Sequence, residues 1–138
     1  MVSMKKSLKV ILIIVVLLGL SAFGFRMVMN HQISETYDGL DAVAVIDLSA
    51  VEDGVYEGTE ETALVKVTVK VEVKDHKMTD IQLIRHENGK GKPAEGMIPE
   101  MLRQNSSEVD CVSGATMSSK VIRAAVRKAL AKGTAETA

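Results

Sequence analysis

From residue 64 the chain alternates, with Val65, Val67, Val69, Val71 and Val73 on one parity and Lys66, Thr68, Lys70 and Glu72 on the other. A period of two predicts a strand over 64–72 with one buried face. Asp75-His76-Lys77-Met78 predicts a hairpin turn, and 79–85 (TDIQLIR) returns as the antiparallel partner. Upstream, Asp53-Gly54-Val55-Tyr56-Glu57-Gly58 reads as a turn, a very short strand and a breaker. Downstream the period changes to that of helices. Ala94, Met97, Ile98, Met101 and Leu102 share one side of a helix beginning at Ala94, which Pro99 either kinks or starts. After a loop over 104–109, a last helix is predicted over 120–132. Val121, Ile122, Ala125, Val126, Ala129 and Leu130 face inward, Arg123, Arg127, Lys128 and Lys132 line the outer side and last turns, and Gly133 closes it. Strands followed by helices make an α+β fold, a small antiparallel sheet packed with two helices.

Ahead of this body lies an uncharged run of 16 residues, 10–25 (VILIIVVLLGLSAFGF). Extended through Met27, Val28 and Met29, with Arg26 snorkelling toward the headgroups, it reaches the length of a membrane span. The rival is a cleaved signal peptide, with Ala22-Phe23-Gly24 as a passable cleavage site. Apolar residues continuing past that site favour one N-terminal transmembrane helix. Lys5, Lys6 and Lys9 precede the run, so the N-terminus is expected in the cytoplasm and the body outside it, on a single-pass cell-membrane protein. The expected division is an anchor or uncleaved signal over 1–29, a stalk and lead-in over 30–52, a folded domain over 53–133 and a tail over 134–138. Within the lead-in, 42–46 fits either a short strand or a helix end.

Charge narrows the partners. Four of the 17 basic residues flank the run, leaving 13 against 18 acidic residues in the body. A mildly acidic body without base-stacking aromatics is a poor nucleic-acid binder. Cys111 is the single cysteine, so neither a disulfide framework nor a cysteine metal site is available.

Several residues invite chemistry. His31, His76 and His86 lie far apart without ligand spacing, and read as surface or loop histidines. Gly89-Lys90-Gly91-Lys92 lacks the rest of a phosphate loop. Cys111 has no base that the sequence can place beside it. Met97, Met101 and Met117 could line a planar cofactor, with core filling the commoner use for the first two. One stretch stands apart, Asp110-Cys111-Val112-Ser113-Gly114-Ala115-Thr116-Met117-Ser118-Ser119. Small side chains at Ser113, Gly114 and Ala115 let an anion approach the backbone, and Ser118 or Ser119 is expected to cap the helix behind. A well-capped turn explains the serine and glycine equally well, without requiring Thr116 or Asp110.

Asp110-x-x-Ser113-Gly114-Ala115-Thr116 resembles the D-x-x-S-G-A-T motif of the FMN-binding domain family, which includes flavin subunits of sodium-pumping NADH:quinone reductases and Rnf complexes. The chain is more similar to the small membrane-anchored members. Those share the D-G-x-Y-x-G opening (Asp53, Gly54, Tyr56, Gly58), an H-x-N-G-x-G loop (His86, Asn88, Gly89, Gly91), an A-E helix start (Ala94, Glu95) and a final helix ending in A-L (Ala129, Leu130). The resemblance implies FMN as cofactor, attached through a phosphoester to Thr116 by a separate flavin transferase. It also implies that Asp110, Ser113, Gly114 and Ala115 form the phosphate-cradling turn, with Met117, Ser118 and His86 as further candidates. It implies electron relay between redox partner proteins or a quinone-linked complex. Cys111 and the Asn105-Ser106-Ser107 approach depart slightly from the family pattern.

Both phenylalanines, Phe23 and Phe25, lie in the membrane run, so Tyr37 and Tyr56 are the body's aromatic rings. The expectation is a flavin held by its phosphate, its ring partly exposed on aliphatic and methionine side chains. The alternative is a membrane-anchored, non-redox module that binds another anion or a protein partner.

Overall fold

The computed structural model describes residues 2–87 and 91–134, with side chains from residue 5 onward. Asn88, Gly89 and Lys90 of the predicted glycine-rich loop, and the tail from 135, lie outside the described residues. The chain divides into two compact units, Met1–Thr36 and Tyr37–Ala138.

The first unit consists of most of helix α1 (Val2–Asp41). Its apolar side chains between Val10 and Met29 are exposed on every side, the mark of a helix that needs a nonpolar solvent rather than a core. It is long and apolar enough to cross a membrane. The helix continues past the predicted anchor to Asp41. Residues 42–47 are then neither strand nor helix, and a 3₁₀ turn Leu48–Ala50 follows.

The second unit is the α+β body. Strands β1 (Gly54–Glu61), β2 (Lys66–Lys74) and β3 (Lys77–Glu87) form one antiparallel sheet in that order. β1 is far longer than the predicted very short strand, because its tail of Gly58, Thr59, Glu60 and Glu61 lacks apolar alternation yet pairs fully with β2. The valines of β2 are buried as the alternation requires: Val67, Val69 and Val71 at 0% exposure and Val73 at 2%. The hairpin turn is tighter than predicted. Lys74 pairs with Lys77, leaving only Asp75 and His76, both with positive φ (51° and 60°), in a mirror-image turn suited to strand twist. Asp53 Oδ1 accepts a hydrogen bond from the Asp75 N–H (2.9 Å), fastening this strained turn.

Over the valine face lies α3 (Thr116–Ala131), which packs on β1 and β2. Two glycines make that packing possible. A Cβ on Gly58 would stand 2.1 Å from the Ala125 carbonyl oxygen, and one on Gly133 2.6 Å from Cζ of Tyr56. Gly133 follows the helix end but serves there as space for the Tyr56 ring rather than as a left-handed cap. Tyr56 donates its hydroxyl to the Glu52 carbonyl (2.8 Å). β1 therefore runs antiparallel to α3, from Tyr56 beside Gly133 to Gly58 beside Ala125.

Between sheet and α3 in sequence come a 3₁₀ turn, Lys92–Gly96, and α2 (Met97–Gln104). Pro99 is the third residue of α2, where the missing N–H costs no intrahelical bond. Met97 and Met101 are buried in the core, joined at its edge by Ile98 and Leu102. α2 ends on Asn105 in the left-handed conformation (φ 51°), whose side chain accepts from Met78 N (2.8 Å) and donates to the His76 carbonyl (3.3 Å).

Candidate functional site

α3 begins four residues earlier than its apolar period indicates. Thr116 is its first residue and Ala115 its N-cap, φ −132°. The expectation that Ser118 or Ser119 caps the helix is therefore overturned. Ser118 and Ser119 are buried at 2% and 0% exposure inside the first turn. Ser119 Oγ faces back into the loop, accepting from Val112 N (2.9 Å) and donating to the Ala115 carbonyl (2.7 Å). Ala115 N closes a four-residue turn onto the Val112 carbonyl (3.0 Å). Gly114 occupies that turn's third position at φ 80°, a conformation glycine adopts at no steric cost.

The result is a turn pinned from beneath by Ser119 and open above. Asp110, Ser113, Gly114 and Thr116 are exposed, while Ala115 is buried and Cys111, Val112 and Met117 are half-buried. Among the described residues no side chain caps α3, and no acidic residue stands in its first turn. The N–H groups of Thr116, Met117 and Ser118 thus lack helical acceptors and gather the positive end of the dipole beside the Thr116 hydroxyl. No heavy atom lies within 4 Å of where a Cβ on Gly114 would be, so the approach is clear.

The structure does not place His86 on the surface or in a loop. Thr68 pairs with Arg85 but Val69 with Leu83, and Glu72 pairs with Asp80 but Val73 with Met78. Ile84 and Thr79 are thus extra residues in β3, two bulges that each reverse the strand's parity. The bulge at Ile84 puts His86 opposite Val67 on the core face, its side chain 3% exposed, and leaves Ile84 outside. His86 Nδ1 lies 2.9 Å from Oε1 of Glu95, which sits on the Lys92–Gly96 turn packed against α3.

Arg127, predicted on the outer side of α3, is 4% exposed. Its guanidinium forks onto Glu108 (Nε–Oε1 2.9 Å) and donates to the Val43 carbonyl (3.0 Å). Arg123 reaches the Val109 carbonyl (3.2 Å) and Asp41 (3.4 Å), and Lys120 also pairs with Asp41. Sequence reasoning missed these contacts because a charged residue at the edge of an apolar stripe reads as solvated. Tyr56, with its hydroxyl spent on Glu52 and its ring against Gly133, is a fold residue. Among the described residues no cluster of His, Cys, Asp and Glu could hold a metal.

The exposed Thr116 thus opens an uncapped helix behind a glycine turn on an α+β body. Residues 64–131 match the FMN-binding domain, and this body belongs to that family, with FMN as its cofactor. No curated protein matches the chain. The residues present fit the group: open N–H donors, a turn without a Cβ at its crest, and a hydroxyl beside them.

Proposed function

We propose that this protein is a membrane-anchored, extracytoplasmic carrier of FMN for electron transfer, the flavin joined by a phosphoester to Thr116. The observation that carries the reading is the placement of Thr116, exposed at the first position of a helix whose N-cap is an alanine. A phosphate there meets the free N–H groups of 116–118, and its negative charge gains about 0.3–1 kcal/mol from the dipole at an exposed site. Gly114 and Ser113 leave the crest open, Ser119 holds the turn, and the Thr116 hydroxyl supplies the acceptor oxygen. When bound, FMN supplies the electron-carrying ring; the protein supplies tether and orientation.

The basic residues before the apolar helix support a cytoplasmic N-terminus with the body outside. A dissociated cofactor would be lost there, which gives a covalent tether its use. A flavin transferase installs it, and redox proteins or a quinone-linked complex exchange electrons with it. After co-expression with such a transferase, a denatured and washed gel band should fluoresce, and Thr116→Ala should leave it dark. A band that still glows in Thr116→Ala moves the attachment elsewhere, and a protein that binds no flavin at all defeats the reading.

A further inference from the structure

Thr116 shares its side of α3 with Lys120, Arg123 and Arg127, the spacing of a single helix stripe. That stripe faces residues 37–43. Arg127 bonds the Val43 carbonyl, Arg123 and Lys120 bond Asp41, and the Lys120 ammonium lies 5.3 Å from the centroid of the Tyr37 ring. The segment thus runs back along α3 from Arg127 to Lys120, whose ammonium meets Tyr37. Lys120 stands one helical step of four residues behind Thr116, about 6 Å along the axis.

Tyr37 and Tyr56 are the only aromatic residues after Phe25. Tyr56 is fixed at the far end of α3 by Glu52 and Gly133. Tyr37 is half-buried, and among the described residues its hydroxyl makes no hydrogen bond. It is therefore the one ring of the body left to meet a flat ligand at the first turn.

We propose that Tyr37 and Lys120 form the seat of the isoalloxazine ring. This rests on the reading of Thr116 as the tether. The ribityl chain carries the ring away from Thr116, and Tyr37 takes it in an offset stack on the ring face that Lys120 does not cover. The Lys120 ammonium, steadied by Asp41, covers the opposite face of the tyrosine and sets its angle.

The test compares the full-length, flavin-loaded protein with Tyr37→Leu, Tyr37→Phe and Lys120→Met. In the folded state a stacked phenol quenches flavin emission by lending an electron to the excited ring and receiving it back. The unmutated protein should be several-fold dimmer folded than denatured. Tyr37→Leu and Tyr37→Phe should both recover most of that emission, and only Tyr37→Leu should lose the red-shifted absorption of a stacked ring. Lys120→Met should recover part. Emission unchanged by Tyr37→Leu, or a folded protein as bright as its denatured form, overturns the seat while leaving the tether standing. A dark denatured band in the unmutated protein sinks the tether and the seat together.

Discussion

Gly58 of β1 and Ala125 of α3 lie so close that any side chain on Gly58 would enter the helix backbone. An added Cβ would stand 2.1 Å from the Ala125 carbonyl oxygen and 2.5 Å from Ala129 N. Both obstacles are main-chain atoms, so neither can rotate away. Gly58→Ala should therefore cost at least the upper end of the about 1–3 kcal/mol typical of overpacking. A thermal melt checks it, and a midpoint within a degree or two of the parent would show that α3 does not sit this close to the sheet.

This contact also explains the D-G-x-Y-x-G opening, whose residues all serve the fold: Asp53 fastens the hairpin, Gly54 and Gly133 leave room for Tyr56, and Gly58 admits α3. The valine strand, the core methionines and the inward face of α3 were legible because burial and period coincide there. The start of α3 was not, because Ser118 and Ser119 carry the residue type of a cap but are buried as small polar groups. His86 was misread for a different reason. The bulge at Ile84 reverses the parity that Ile81 and Leu83 set, and a bulge leaves no residue-type signature there. The turn over 112–115 was legible as a small-residue turn, and Gly114 holds it at φ 80°. The lead-in was not, because its contacts with α3 join residues some eighty positions apart.

That lead-in sets the next prediction. Leu40 and Val51 are buried at 5% and 0% exposure, and Arg127 depends on the Val43 carbonyl as well as on Glu108. A fragment starting at Asp53 loses both apolar side chains, at about 1.5–3 kcal/mol each, and strands part of a buried guanidinium. Fragment 37–138 should melt cooperatively, while fragment 53–138 should melt far lower or not fold. Equal melting by circular dichroism would show that residues 37–52 are dispensable.

Acid should act on the same segment. The Lys120 hydrogen bond holds the Asp41 carboxyl below the usual carboxylate range. Burial pushes Glu108 up, but Arg127's hydrogen bond and charge prevail, so it too is lowered. A carboxyl depressed in the folded state contributes stability above its unfolded value, and that stability is lost as pH falls through the folded one. The melting midpoint should hold near neutrality and decline from about pH 5 downward. Asp41→Asn should flatten part of that decline. Glu100 is held at about 2 by Arg103 and Gln104, but this exposed group should contribute little. A midpoint equally acid-sensitive in Asp41→Asn would remove Asp41 from the account.

Ser119 offers the sharpest test of the turn that precedes Thr116. Its hydroxyl accepts from Val112 N and donates to the Ala115 carbonyl, so one buried atom ties both ends of the Val112–Ala115 turn to α3. Ser119→Ala leaves the Val112 N–H without its acceptor, a loss of about 1–3 kcal/mol. Alanine's better helix propensity returns about 0.5 kcal/mol of it. The net change should be a modest fall in stability together with a local loosening. Hydrogen exchange at Val112 should accelerate well beyond what the global change accounts for, while exchange at the β2 valines should follow stability alone. Loading of flavin at Thr116 should slow in the same variant, because the turn that presents the hydroxyl is no longer fixed. Unaltered protection at Val112 would mean that the backbone of the turn, rather than Ser119, holds Thr116 in place.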